Sequence, residues 1–196
     1  MHYFSRKPEG ELRIYKFSIH IRGISLKLVS ASGVFSARRV DLGTKVLLEN
    51  MIVKDYWHIL DLGCGYGVIG LVAAKLAPHG FVVMTDINKR AIKLARINAK
   101  LNKIKNVEIR HGDLYEPVKG EIFDTIISNP PQAAGMRIIK RLIEESVNYL
   151  KEGGLLQLVA RHNKGGKRMF NLMEQVFEDT YILGGRGGYR VYIARK

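Results

Sequence analysis

The chain has 196 residues, of which 46% are hydrophobic, so it is long enough for one well-buried domain and short for two. Its 32 Lys and Arg against 18 Asp and Glu give a formal charge of +14, which favours a nucleic-acid partner over a small-molecule one. The alternative is a solvated surface rich in Lys and Arg. A single cysteine excludes an internal disulfide, scattered histidines predict no metal, and short apolar runs predict no membrane partner, so we expect a soluble, cytoplasmic protein.

The N-terminal part predicts a small β extension. Residues 12–35 alternate apolar and polar side chains, which indicates a β meander, and "DLGTKVLLENMI" indicates a helix entered at Asp41 or Thr44. We therefore divide the chain into an N-terminal β extension, residues 1–36, and a main domain, residues 37–196.

From Leu60 onward, apolar β-branched runs alternate with amphipathic stretches, which is typical of βαβ units on a parallel sheet. Helices are predicted near residues 68–76, 89–101, 135–150 and 166–176. The last two strands, "YILGG" and "YRVYIAR", are joined by "GGRGG", which is too short for a helical crossover and so predicts an antiparallel hairpin. The expected α/β fold has a mostly parallel sheet of seven strands, one of them reversed, with helices on both faces.

A glycine loop follows the first strand of this series. In "ILDLGCGYGVIG" the strand breaks at Gly63, Gly65 and Gly67 and then opens a helix, so the backbone turns tightly and a ligand approaches closely. Residues 65–70, "GYGVIG", also match the dinucleotide fingerprint, so the loop alone leaves NAD and other adenosine cofactors open.

Three acids stand at the carboxyl edge of the predicted sheet. Asp86 lies 21 residues past Gly65, where an acidic side chain reaches the ribose hydroxyls of a nucleoside. Asp61 and Asp113 put further carboxylates at this edge, which suits a cationic ligand without phosphate. The alternatives are a carboxylate that braces the loop for Asp61 and a turn cap for Asp113.

With these motifs, and with "SNPPQ" after the strand "FDTIIS", the chain resembles the class I S-adenosylmethionine-dependent methyltransferases, which have a Rossmann-like fold. It is most similar to the amino-methylating group, whose motif of Asn or Asp, Pro, Pro and an aromatic is matched at Asn129, Pro130 and Pro131. Further likeness in "SGVFSARRVDLGTKVLLEN" and "GGYRVYIARK" is to ribosomal small-subunit RNA guanine-N2 methyltransferases, in a short archaeal-type stand-alone version.

This resemblance implies which residues bind the cofactor, S-adenosylmethionine. They are Thr44, Asp61, Gly63, Cys64, Gly65, Asp86, Ile87, Asp113, Leu114 and Asn129. Residues 35–44 are expected to fold over it.

Methyl transfer to an exocyclic amino group explains the "NPP" residue types. The lone pair of this nitrogen is delocalised into the base ring. When the Asn129 side chain and the Pro130 carbonyl accept hydrogen bonds from the two N–H groups, the lone pair becomes localised on the nitrogen. Two prolines end the strand and fix that carbonyl. A plain strand-terminating turn is the alternative.

Gln132 departs from the motif, because an aromatic there would stack on the target base. Gln132 offers only a flat amide and hydrogen bonds, so another ring, with Tyr189, Phe35 and Tyr115 as candidates, is expected to supply the stacking. A different substrate is the alternative.

Basic residues near the C-terminus are the predicted RNA contacts: Arg161, Lys164, Lys167 and Arg168 in "ARHNKGGKR", with Arg186 and Arg190 flanking the last turn. A solvated loop and an ordinary hairpin turn are the alternatives. Basic composition and the extra N-terminal strands permit a homodimer.

The leading hypothesis is therefore methyl transfer to an exocyclic amino nitrogen in RNA, with guanine N2 of ribosomal RNA as the implied acceptor. DNA adenine, tRNA, a protein glutamine, NAD-dependent redox chemistry and a non-catalytic RNA-binding assembly factor remain the alternatives.

Overall fold

The computed structural model describes residues 13–130 and 135–196, which form a two-stranded sheet beside a seven-stranded one. The strands are β1 (Ile14–Ile21), β2 (Ile24–Ala31), β3 (His58–Leu62), β4 (Phe81–Asp86), β5 (Val107–His111), β6 (Phe123–Ser128), β7 (Leu150–Arg161), β8 (Asp179–Arg186) and β9 (Tyr189–Arg195). The helices are α1 (Leu42–Asn50), α2 (Val68–Leu76), α3 (Lys89–Leu101), α4 (Met136–Ser146) and α5 (Lys167–Val176).

The large sheet has the strand order β5-β4-β3-β6-β7-β9-β8. Strands β3 to β7 pair in parallel, whereas β9 runs antiparallel to both β7 and β8. The predicted mostly parallel sheet with one reversed strand in a C-terminal hairpin is confirmed.

Two apolar cores cover the two faces of this sheet, because successive side chains of a strand point to opposite faces. Ile59 packs in the core that contains α1, α2 and α3, whereas its neighbour Leu60 packs in the core that contains α4 and α5. Ile127 and Ile126 divide in the same way. Helices therefore lie on both faces, as expected from the sequence.

The bounds of the helices can be compared with those predicted from the sequence. The helices predicted at residues 68–76 and 89–101 have those bounds in the structure. The helix expected over 135–150 ends earlier, because Val147–Tyr149 tightens into a single 3-10 turn and β7 already begins at Leu150. Within the described ranges, no helix combines the length and apolarity needed to cross a membrane.

The N-terminal strands form one hairpin that is fixed to α3 by two asparagines. The Asn98 side chain accepts from the N–H of Val29 and donates to its carbonyl, at 2.7 and 2.9 Å. Asn102 repeats the pattern with Lys27, at 2.9 and 2.7 Å. Two carboxamides one helical turn apart thus pair with the β2 edge as a neighbouring strand would. The boundary predicted at residue 36 stays a prediction.

Candidate functional site

A cavity lies at the carboxyl edge of the large sheet, where β3, β4, β5 and β6 end. Three carboxylates contribute to its lining, those of Asp41, Asp86 and Asp113. Of the described residues that line it, none is a lysine or an arginine. This charge pattern suits a cationic ligand without phosphates and opposes the diphosphate of a dinucleotide, so it disfavours the NAD alternative.

The glycine loop between β3 and α2 is anchored by the end of β4. The N–H groups of Gly63 and Cys64 both donate to the Thr85 carbonyl, at 2.9 and 2.8 Å. Gly63 has φ +76°, and apart from the glycine and its two chain neighbours no atom of the described residues lies within 4 Å of the point where a Cβ would stand. The backbone there is therefore open to close approach by a ligand. Burial raises the pKa of the Cys64 thiol well above its usual range, so Cys64 contributes shape and not a nucleophile.

Asp86 ends β4 beneath this loop and is almost fully buried. One carboxylate oxygen accepts from the N–H of Gly65 and the other from the N–H of Asn88, each at 2.8 Å. A carboxylate has about four acceptor sites, so these two bonds are compatible with a further bond from a ribose hydroxyl. Ile87, the next residue, also lines the cavity.

Asp61 lies deeper, and its side chain is not part of the cavity lining. Its Oδ2 accepts from the N–H of Gly70 in α2 at 2.7 Å, whereas Oδ1 has no hydrogen-bond partner among the described residues. Burial raises the pKa of Asp61 to about 7, and the charge of Asp86 acts in the same direction. In the structure Asp61 braces the junction of loop and helix; a contact with the cofactor stays a prediction.

Asp113 and Leu114 form the opposite rim of the cavity. The Asp113 carboxylate is about half exposed and lies 3.4 Å from a guanidinium nitrogen of Arg141 in α4. Leu114 adopts a left-handed backbone conformation, with φ 42°. No local sequence pattern links Arg141 to this rim, because Asp113 and Arg141 are 28 positions apart.

Asn129 follows directly on β6 and is held by α1. Its amide nitrogen donates to Thr44 Oγ1 at 2.9 Å and to Asp41 Oδ1 at 3.4 Å, and Thr44 Oγ1 donates to Asp41 Oδ2 at 2.6 Å. A carboxylate only accepts, so the amide nitrogen has to face Asp41 and the amide oxygen has to face away. Within the described residues that oxygen accepts no hydrogen bond. Thr44 of α1 and Asp41, which directly precedes this helix, thus fix the orientation of the Asn129 amide.

The sequence predicts a cofactor contact for Thr44 and only a helix start for Asp41. Asp41 does cap α1, since it accepts from the Thr44 N–H at 3.0 Å. Its second contact, with Asn129, spans 88 positions and has no local sequence signal. Pro130 also lines the cavity, whereas Pro131 and Gln132 lie outside the described residues, so the predictions for them remain predictions.

One of the three candidate aromatic rings lines the cavity. Phe35 does so and is 43% exposed. Tyr115 is excluded as a stacking ring, because it is buried against Tyr149 with ring centroids 4.5 Å apart. Tyr189 packs beside α1, with the Arg161 guanidinium 5.4 Å from its ring centre. Residues 35–44 border the cavity through Phe35, Asp41 and Thr44, as expected for a segment that covers a ligand.

The predicted RNA-contacting cations lie in two regions. The first is at and after the carboxyl end of β7, where Arg161 also contacts the Tyr189 ring, and its four exposed members are Arg161, Lys164, Lys167 and Arg168. In the second, Arg186 pairs with Glu49 at 2.9 Å and Arg190 donates to the Tyr189 carbonyl. The N–H of His162 donates to the Gly188 carbonyl at 2.9 Å, so the two predicted regions are adjacent. RNA binding by either stays a prediction.

No group of three or more His, Cys, Asp or Glu side chains among the described residues has the arrangement of a metal site.

Comparison with known proteins gives a family match, an uncharacterized relative and a relative named as a ribosomal RNA methyltransferase. The family described as methyltransferase small domain matches residues 25–193. The uncharacterized protein YbxB of Bacillus subtilis is 34% identical over 197 aligned positions, which cover 100% of this chain and 98% of that protein. Ribosomal RNA small subunit methyltransferase C of Haemophilus influenzae is 36% identical over 199 positions, which cover 98% of this chain.

A solved structure is similar in fold. It is the 16S rRNA guanine-N2 methyltransferase of T. thermophilus in complex with S-adenosylmethionine and guanosine, with a TM-score of 0.80, 25% identity and 97% of this chain covered. The chain spans 59% of the length of the Haemophilus protein and 52% of the Thermus chain.

Proposed function

Because this chain belongs to the methyltransferase small domain family, we propose that it transfers a methyl group from S-adenosylmethionine to a guanine N2 of ribosomal RNA. S-adenosylmethionine is the cofactor of this family. The acceptor is proposed from the similarity to the Haemophilus and Thermus proteins, whose names state a ribosomal RNA substrate.

The cavity fits this cofactor on three observations. The open backbone at Gly63 allows the close approach that a nucleoside needs, and the buried Asp86 carboxylate suits ribose hydroxyls. Three carboxylates without a lysine or arginine in the described lining suit a ligand that carries positive charge on an ammonium and a sulfonium. When bound, S-adenosylmethionine supplies a methyl group on a sulfonium, which is a strong electrophile.

The observation that carries the proposal is the orientation of Asn129. Asp41 and Thr44 hold its amide nitrogen, so its amide oxygen is left to accept one N–H of an exocyclic amino group. The Pro130 carbonyl would accept the other N–H. With both N–H bonds engaged, the nitrogen lone pair is less delocalised into the base and is aimed at the methyl carbon.

Asn129 and Pro130 therefore act by position and hydrogen bonding and not as general bases. An amide does not take up a proton near neutral pH, so the proton released from the methylated nitrogen leaves to water. Phe35, at the mouth of the cavity, is the described ring best situated to stack on the base.

The test compares wild type, Asn129→Ala and the surface control Asn148→Ala, which replaces an exposed asparagine outside the cavity. Each protein is incubated with methyl-labelled S-adenosylmethionine and unmodified small-subunit ribosomal RNA, tRNA, DNA or release factor, and nucleosides and peptides are analysed by mass spectrometry. We expect N2-methylguanosine in ribosomal RNA with wild type and the control. For Asn129→Ala we expect a rate lower by about 100- to 1,000-fold, a larger effect than any on cofactor affinity.

Other outcomes would redirect the proposal. Label in DNA, tRNA or a protein glutamine would retain the amino-group chemistry and replace the substrate. Cofactor binding by wild type without label in any acceptor would favour an RNA-binding assembly factor.

A further inference from the structure

A row of basic side chains crosses the exposed side of α3, away from the cavity. Its members follow one another at intervals of four and three residues and so share one side of the helix and of the turn that ends it: Lys89, Lys93, Arg96, Lys100 and Lys103. All five are exposed, and we call them the α3 stripe.

No acidic residue compensates this stripe locally. The sequence holds no Asp or Glu from residue 87 to residue 107, and within the described ranges none of the five cations is in an ion pair. By contrast, α4 pairs Lys140 with Glu144 and Arg141 with Glu145, each four residues apart. Like charges at this spacing destabilise a helix. A helix that served only to cover the core could carry acids on this side without loss of packing.

The nearest acid in the adjoining strand is already neutralised. Glu108 of β5 lies in the groove beside Arg96, Lys100 and Lys103. Both of its carboxylate oxygens accept from the guanidinium of Arg110, each at 2.8 Å. The field of the α3 stripe therefore extends into solvent, where it attracts a polyanion.

The opposite side of α3 argues against an anionic membrane as the polyanion. A helix that lies on a membrane inserts its apolar side between the lipids. In α3 that side is buried in the protein core through residues such as Ile92 and Leu94. Ile97 and Leu101 are about half exposed, but two isolated side chains do not make an apolar face.

The stripe also begins close to the cavity. Lys89 lies three residues after Asp86, at the carboxyl edge of the sheet, and the helix runs back from that edge for about 17 Å between Lys89 and Lys100. Arg161 and its exposed neighbours lie beyond β6, on the other side of the cavity. A strand whose base enters the cavity thus has basic side chains on both flanks.

From this arrangement we infer that the α3 stripe binds the sugar-phosphate backbone of RNA flanking the methylated base, an inference that rests on the proposed function. It contacts phosphates and not base edges, so it adds affinity without adding sequence preference. RNA bound there lies along the face of the domain that carries α1, α2 and α3.

The test uses the whole chain with Lys93→Gln, Lys100→Gln and Lys103→Gln combined. The control combines Lys54→Gln, Lys119→Gln and Lys140→Gln, which removes the same charge from dispersed exposed positions. Affinity for a fluorescent fragment of small-subunit ribosomal RNA is measured over a range of salt concentrations. Loss of three phosphate contacts should lower the slope of log affinity against log salt by about 2, since each contact contributes about 0.7 to 0.9. Affinity at low salt should fall at least tenfold (about 1.4 kcal/mol).

The stripe variant should bind the cofactor as wild type does. It should also methylate free guanosine at the wild-type rate, because free guanosine has no flanking phosphates. Both results would show that the variant is folded. An equal salt slope in stripe variant, control and wild type would overturn the inference, even if wild type methylates ribosomal RNA. Methylation of DNA or protein instead of RNA, without RNA binding, would overturn the proposed function and the inference together. Stripe-dependent binding to phosphatidylserine vesicles, and not to RNA, would overturn the inference in favour of a membrane.

Discussion

The two walls of the cavity, which in our proposal bind the cofactor and the methyl acceptor, are built by different means. On the cofactor wall, backbone groups of the glycine loop bond to the adjacent strand: Gly63 and Cys64 to the Thr85 carbonyl, and Gly65 to the Asp86 carboxylate. On the acceptor wall, the Asn129 side chain is held by Thr44 of α1 and by Asp41, the N-cap of that helix, 85 and 88 positions away. The cofactor wall is therefore fixed mainly by main chain, whereas the acceptor wall depends on a relay of side chains. We expect mutations of the two walls to separate binding from chemistry.

The largest effect on cofactor affinity and on stability is expected on the cofactor wall, from Asp86→Ala. The carboxylate accepts two backbone N–H bonds, and hydrogen bonds to a charged group contribute about 1.5 to 3 kcal/mol each. We expect S-adenosylmethionine affinity, measured by calorimetry, to fall about 100-fold or more, and the free energy of unfolding to drop by about 3 kcal/mol. Asp179→Ala, an exposed surface change, is the control. Unaltered affinity would mean that main chain alone defines this wall.

On the acceptor wall, Asp41→Asn should reduce kcat and leave the cofactor in place. Asparagine caps a helix about as well as aspartate does, so α1 should persist. Its amide, however, can present a donor to the Asn129 nitrogen, which then loses its preferred orientation. We expect kcat on RNA to fall about tenfold, the equivalent of one hydrogen bond of about 1.4 kcal/mol. The KM for S-adenosylmethionine should change less than kcat, because the Asp86 and Asp113 carboxylates remain in the lining.

The matched control is Asp179→Asn, which makes the same chemical change on the surface. A lower melting temperature and weaker cofactor binding with unchanged kcat would show that Asp41 supports the fold only.

A smaller effect is expected beneath the cofactor wall, from Asp61→Asn, and it depends on pH. The pKa of Asp61 is about 7 in the folded protein against an ordinary value of 3.8, so between these values the folded state retains a proton that the unfolded state has lost. Wild-type stability should therefore fall as pH rises through this window and level off above it. The asparagine variant lacks this dependence.

The free energy of unfolding is measured in urea at about pH 5 and about pH 8. The difference between wild type and Asp61→Asn should shrink by about 1 to 3 kcal/mol at the higher pH, which is the range for a buried polar group left unsatisfied. A constant difference across pH would indicate that the Asp61 carboxyl titrates at its ordinary pKa. The wild type should also gain affinity for the cationic cofactor as pH rises through 7, because the ionised carboxylate attracts it.

The same contrast explains how much the sequence could predict. The glycine loop and Asp86 form a unit within 21 positions, and local spacing was enough to predict both the turn and the acid beneath it. The mostly parallel sheet and its one reversed strand were predicted from the alternation of elements and one short turn, whereas the order of the strands is known only from the structure. Asn129 was also found from a local motif, and its role there remains proposed.

What sequence could not predict depends on burial and on distant contacts. Tyr115 has an aromatic ring that could stack on a base, yet in the structure this ring packs against Tyr149. Its hydroxyl donates to the Leu142 carbonyl, so both contacts depend on the position of α4. Asp41 looks like an ordinary helix cap because only the folded sheet brings β6 beside it. The early end of α4 arises because β7 already starts at Leu150 to pair with β6.

The asparagine pair on α3 has a consequence for self-association. An unpaired strand edge is a template on which another chain can add a strand, and proteins protect such edges. Asn98 and Asn102 occupy the backbone groups of Val29 and Lys27, so this side of the hairpin is closed to strand addition. A dimer formed by sheet extension at the hairpin would have to use the outer edge of β1, which pairs with no other strand among the described residues. Aggregation through β2 would first require the hairpin to leave α3.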